Sequence, residues 1–296
     1  MHRFSRPTVA LVTLVWLVLT GCAGPVAQQE FQTYVTSFEQ MRGATNSLLD
    51  EVGAGERRRG QAVLSARPSS PRPLGVDESF RVADAAFYAS NAEPPLTRAY
   101  RNALRVIVLY NDTLVGLVEG KTLGELKTNA AELGSEALAL AAVVTGMAVA
   151  PLIAPALPAI QLLADQAVAA ASRAAFKDAF LRNFTAVDAL FSKMREGAPD
   201  LFDVLARENL ARLRQARLDG LSDAARAELI ARHEAYRSAL SDWVIMIEET
   251  QVAMRDVRTV LQAPAGLNAS TTDLTERAIK IRVLASTIRT TLSRAR

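Results

Sequence analysis

The chain has 296 residues, half of them hydrophobic but only 6% aromatic, and a formal net charge of +3 from 34 basic and 31 acidic side chains. That length supports one large domain or two smaller ones with a substantial core, and the Ala/Leu-rich, aromatic-poor make-up favours helices over strands. One cysteine, Cys22, excludes an intramolecular disulfide, and two histidines, His2 and His233, leave too few imidazoles for a multi-histidine metal centre.

In chain order, a short cationic stretch with Arg3 and Arg6 comes first, followed by an apolar run from Val9 to Leu19 and then Leu19-Thr20-Gly21-Cys22. A run of about 11 apolar residues is too short for the ~20 that cross a bilayer as a helix, and this layout is that of a cleaved targeting segment. Leu19, Thr20, Gly21 and Cys22 resemble the bacterial lipobox. The resemblance covers residues 1 to 22 only. It implies cleavage before Cys22, a thioether-linked diacylglyceryl group on that cysteine, and membrane lipid as its first partner. Ala23, where an aspartate would signal retention at the inner membrane of a Gram-negative cell, implies an outer-membrane lipoprotein facing the periplasm.

The remainder reads as all-α. Phe31, Tyr34, Phe38, Met41, Thr45, Leu48 and Val52 follow steps of three and four, a heptad seam predicting a helix from about Gln28 to Val52. Gly53-Ala54-Gly55 is expected to end it, and Glu56 to Val76, with Pro68, Pro71 and Pro73, to form an exposed loop. Helical pattern resumes near Asp77 or Ser79, breaks at Pro94-Pro95, and continues through Tyr100, Leu104 and Ile107 to about Val118. Further helices are predicted from Thr122 to about Val149, from Pro158 to about Met194, from Asp200 to Leu218 and, capped by Ser222, as far as Leu261. On this last one Leu229, His233, Tyr236, Leu240, Trp243, Ile247, Thr250, Met254, Val257 and Leu261 keep the heptad spacing throughout. A final helix from about Thr271 to Ser293 puts Leu274, Ala278, Ile281, Ala285, Ile288 and Leu292 on one face. Long helices with narrow seams and mostly short connections predict an elongated antiparallel helical bundle. The division is a signal peptide over 1–21, a lipidated N-terminus and tether over 22–27, and a bundle over 28–296 carrying a Pro/Arg-rich loop at about 55–76 and an apolar hairpin at 137–164.

Little in this pattern carries chemistry. His233 falls on a seam and reads as a core histidine. No phosphate loop, HExxH or EF-hand pattern occurs. Gly116, Gly120 and Gly124 lack the strand and lysine of a phosphate site. Adjacent Glu248 and Glu249 diverge by ~100 degrees around a helix and read as solvated surface. No metal, cofactor or catalytic residue is expected. Two segments stand out. Ala137 to Ala164 is uncharged and interrupted by Pro151, Pro155 and Pro158, so it predicts an apolar hairpin whose Val149, Leu152, Ile153 and Leu157 either pack in the bundle or contact a membrane or partner. The second is basic: Arg57, Arg58, Arg59, Arg67 and Arg72 in the loop, and Arg277, Lys280, Arg282, Arg289, Arg294 and Arg296 late in the chain, with Arg277, Lys280, Arg282 and Arg289 as candidate contacts for an anionic surface. Nucleic acid is not an expected partner of an exported chain. The expectation is a non-enzymatic, membrane-anchored scaffold, adaptor or accessory subunit with an envelope protein as partner. Its alternatives are a bundle that inserts the 137–164 hairpin into a bilayer and a small-ligand or cell-wall binding module with a pocket on Tyr100, Tyr110 or Trp243.

Overall fold

The computed structural model describes residues 23–65, 81–119, 128, 131–132, 135, 173–219, 222–263 and 271–295. Among them there is no strand. The helices are α1 (Ala23–Ser65), a short α2 (Ala85–Tyr88) preceded by a 3-10 turn over Val82–Asp84, α3 (Pro95–Glu119), α4 (Arg173–Glu196), α5 (Ala198–Asp219), α6 (Asp223–Gln262) and α7 (Thr271–Ala295). Cys22 and the rest of the lipobox, the 66–76 part of the Pro/Arg-rich loop with Arg67 and Arg72, and the 137–164 segment with Val149, Leu152, Ile153 and Leu157 lie outside the described residues.

The seams do what their spacing demands. Phe31, Tyr34, Phe38, Met41, Thr45, Leu48 and Val52 of α1 are wholly buried, as are Trp243, Met246, Ile247, Thr250, Met254 and Val257 of α6. On α7, Leu274, Ile281, Ala285, Ile288 and Leu292 face the same core. Side-chain pairs fix the directions. Phe31 stacks near Phe176 and Phe180, and Phe38 near Phe191, so α1 runs parallel to α4. Tyr100 donates to the carbonyl of Met194 while Tyr110 lies against that of Phe180, so α3 is antiparallel to α4. Arg255 meets Asp188 and Arg195 meets Glu248, so α6 is antiparallel to α4 as well, and Arg277 on Asp256 and Glu249 sets α7 against α6. With α5 following α4 across Gly197, successive rods alternate in direction.

Helix ends are set by local chemistry. The Ser222 hydroxyl accepts from the Ala225 amide at 3.3 Å, the cap its position predicts. Pro95 occupies the first turn of α3, where its missing N–H costs nothing. The next two amides are satisfied from another helix: Oε1 of buried Glu56 accepts from the Leu96 amide at 2.9 Å, and Oε2 accepts from the Thr97 amide and hydroxyl at 3.0 Å each. A carboxylate at a helix N-terminus meets both the free donors and the positive end of the helix dipole.

Two expectations are corrected here. The tether over 22–27 is replaced, from Ala23 onward, by helix. The loop expected from about residue 55 begins no earlier than residue 66, because α1 runs through Gly53, Gly55 and Gly60 to Ser65. These glycines are sites of close approach, not stops. A Cβ on Gly53 would lie 3.3 Å from Thr97, on Gly55 3.2 Å from Val204, and on Gly60 2.2 Å from the Phe87 ring. Each glycine costs the helix up to about 1 kcal/mol relative to alanine, which packing offsets. Asp77 and Ser79, where the helical pattern is expected to resume, lie outside the described residues; within residues 81–94 only the turn at 82–84 and the four-residue α2 are helical, and the next long helix starts at Pro95.

Candidate functional site

The far end of α1 gathers more polar chemistry than its heptad pattern foretells. Arg57, Arg58 and Arg59, expected in a loop, lie on helix and are all engaged. Arg57 donates to the Ala92 carbonyl at 2.8 Å, Arg58 pairs with Glu208 at 2.9 Å and Arg59 with Asp203 at 3.1 Å. Arg207 and Arg212 of α5 return to the same carboxylates, one turn away on their own helix. This ladder ties α1 to α5. On one side of it a groove of about 500 Å³ has an apolar floor of Ala62, Val63, Val204 and Ala211, with Arg58, Arg59 and Arg207 along its rim. Val63 is 56% exposed there, a large apolar side chain left in water. On the other side a polar cavity of about 330 Å³ lies where α1, α5, α6 and the end of α7 converge, lined by Glu51, Arg58, Glu208, Asn209, Arg212, Arg232 and Tyr236. A third, shallower groove of about 510 Å³ between α5 and α6 is lined by Phe202, Leu240, Val244 and Ile245.

The candidates on α7 divide into two pairs. Arg277 donates to Glu249 at 2.9 Å and to Asp256 at 3.0 Å, and Lys280 donates to the other oxygen of Glu249, so both cations are engaged within the bundle. Burial raises the Glu249 carboxyl, yet the bonds from Lys280 and Arg277 outweigh it and hold it below its ordinary value. Glu249 is therefore not the solvated residue its sequence neighbourhood implies, and Glu248 pairs with Arg195 at 3.4 Å. Arg282 and Arg289 remain exposed and make no ion pair among the described residues.

The remaining candidates are core. His233 is buried against the Phe202 ring, with centroids 5.3 Å apart, and its Nε2 lies 3.4 Å from a nitrogen of Arg237. Trp243 donates to the Thr45 hydroxyl at 3.0 Å inside the core, and Tyr100 packs on the same indole. Tyr100, Tyr110 and Trp243 are thus packing residues and line none of the cavities described above. Among the described residues no group of three or more His, Cys, Asp or Glu could hold a metal ion, and no helix is long and apolar enough to cross a membrane.

Sequence reasoning missed the far-end cavities because their walls come from four helices distant in the chain. The signal present was the density of arginine around residues 57–59, 207–214 and 232–237, which the loop assignment hid. No family model matches the chain, and no curated protein or solved structure matches it either.

Proposed function

We propose that the chain is a lipoprotein of the bacterial envelope, held by a lipid on Cys22 at the outer membrane and acting without catalysis as a scaffold, adaptor or accessory subunit. The observation that carries this reading is the continuity of α1. It is helical from the first described residue, Ala23, next in sequence to the lipobox cysteine, and runs 43 residues through the core to the far-end grooves. A lipid on Cys22 would then join a rod of ~65 Å without a flexible tether, and the Gly55–Val63 groove would stand ~50 Å along it from the anchor. Reach with a fixed geometry is what an adaptor needs. The apolar floor and paired-arginine rim of that groove suit an envelope protein partner, since exposed apolar surface bordered by charge is typical of contact sites.

The test uses cells fed a clickable palmitate analogue, with a photo-crosslinking residue placed at Val63 or, as a control near the Cys22 end, at Lys177. Label should appear on the wild-type chain and vanish in Cys22→Ser, and the Val63 position alone should give a discrete adduct. Absence of label overturns anchoring. Label without a Val63 adduct, or with equal adducts at both positions, overturns the far-end contact.

A further inference from the structure

We propose that the cavity between α1, α5, α6 and α7 is a binding site for a small molecule bearing one oxyanion, a carboxylate or a phosphate. Each helix turns one face into it: Glu51 and Arg58 lie two turns apart on α1, Glu208, Asn209 and Arg212 within one stripe of α5, and Arg232 and Tyr236 one turn apart on α6. At about 330 Å³ the cavity is at the small end of the range for ligand pockets, ~300–1,000 Å³.

Its lining has donors in excess. Three guanidiniums face two carboxylates, and one of those, Glu208, is shared between Arg58 and Arg212. Among the described residues Arg232 has as its own ion-pair partner only Glu228, one turn back on the same helix at 3.3 Å and 73% exposed. Such an exposed pair within one helix is weak and leaves the guanidinium available. Asn209 is 4% exposed and its Nδ2 has no hydrogen-bond partner. An unpaired buried donor is destabilising and is usually retained only where something else meets the group. Tyr236 is 7% exposed, and its hydroxyl feels Glu51, Arg232, Arg58 and Glu208 together. Burial first, then Glu51, raises that hydroxyl above its ordinary value, so at neutral pH it is a donor. Guanidinium, amide and phenol are complemented by an acceptor with negative charge, and the planar fork of arginine suits carboxylate and phosphate equally. Glu51 and Glu208 set the limit: their charges repel a polyanion and leave room for one oxyanion.

The site is independent of anchoring. The experiment is thermal melting of the full chain in nonionic detergent, titrated at constant ionic strength with inorganic phosphate, with lactate, or with chloride. We expect a saturable rise in Tm with phosphate, lactate or both, and none with chloride; which probe acts distinguishes a phosphate ester from a carboxylate as the ligand. Arg232→Gln should raise Kd at least tenfold and Tyr236→Phe severalfold, each leaving the unliganded melt within a few degrees. Arg214→Gln, an exposed arginine of α5 outside the cavity, should leave Kd unchanged. The proposal is overturned if neither oxyanion gives a saturable shift, or if Arg214→Gln weakens binding as much as Arg232→Gln does.

Discussion

The two ends of the bundle are built on opposite principles. Around the first half of α1, Phe31, Tyr34, Phe38, Phe176, Phe180, Phe184 and Phe191 form a nearly continuous train of ring contacts with centroids 5.0–6.4 Å apart. At the far end the helices meet through arginine–carboxylate pairs, glycine contacts and grooves. The dry end derives stability from apolar burial, with a few buried polar groups such as Glu30 and, facing each other, the Tyr34 hydroxyl and the Asn111 amide. The far end gives up packing for polar surface. Dense apolar packing and grooved polar surface lie at different ends of one rod, so the grooved surface can vary without loosening the core.

The largest effect should come from the joint between the two ends. Trp243→Ala removes a wholly buried indole and leaves the Thr45 hydroxyl without its donor, and should cost about 3–5 kcal/mol in urea unfolding. Next is Glu249→Gln, which strips Arg277 and Lys280 of their shared carboxylate and should cost about 2 kcal/mol at pH 7. An acid held below its ordinary value stabilises the fold above that value, here 4.5, and loses its contribution as pH falls through the lower folded value. The gap between wild type and Glu249→Gln should therefore close on acidification below about pH 4.5 and stay constant above pH 6.

At the far end, Gly60→Ala would drive a methyl into the Phe87 ring and should cost about 1–2 kcal/mol. Hydrogen exchange should show faster exchange over 82–92 and unchanged protection around Phe31–Met41. If protection falls equally at both ends, the ends are not separable and the comparison fails. Glu30→Gln sharpens the comparison from the dry end. Burial and, second, the charge of Asp256 hold the Glu30 carboxyl above its ordinary value, so the folded chain takes up a proton before the unfolded chain does, and stability rises as pH falls through that raised value. The substitution should add about 1 kcal/mol at pH 7 and progressively less in acid. Smallest is Gly43→Ala, whose Cβ would meet only the tip of Arg289 at 3.8 Å; it should stabilise α1 by about 0.5–1 kcal/mol.

Residue spacing alone was enough to expect the all-α class, the buried faces of α1, α6 and α7, the break at Pro94-Pro95 and the Ser222 cap. All of these are properties of one helix at a time: a three-four repeat of apolar side chains has one way to be buried, and a hydroxyl before a helix has donors within reach. The same local reasoning failed at Gly53, Gly55 and Gly60. A glycine that ends a helix and one that admits a neighbour look alike until Thr97, Val204 and Phe87 are in place. It also took Arg57–Arg59 and Glu249 for solvated groups, because their partners, among them Glu208, Asp203 and Arg277, lie 28 to 150 residues away in sequence. What the chain determined by itself was which face of each helix turns inward. Which charges meet, which glycines are contacts and where the cavities open were decided by helix packing, since ion pairs, close approaches and concave surfaces belong to pairs of helices and not to any one of them.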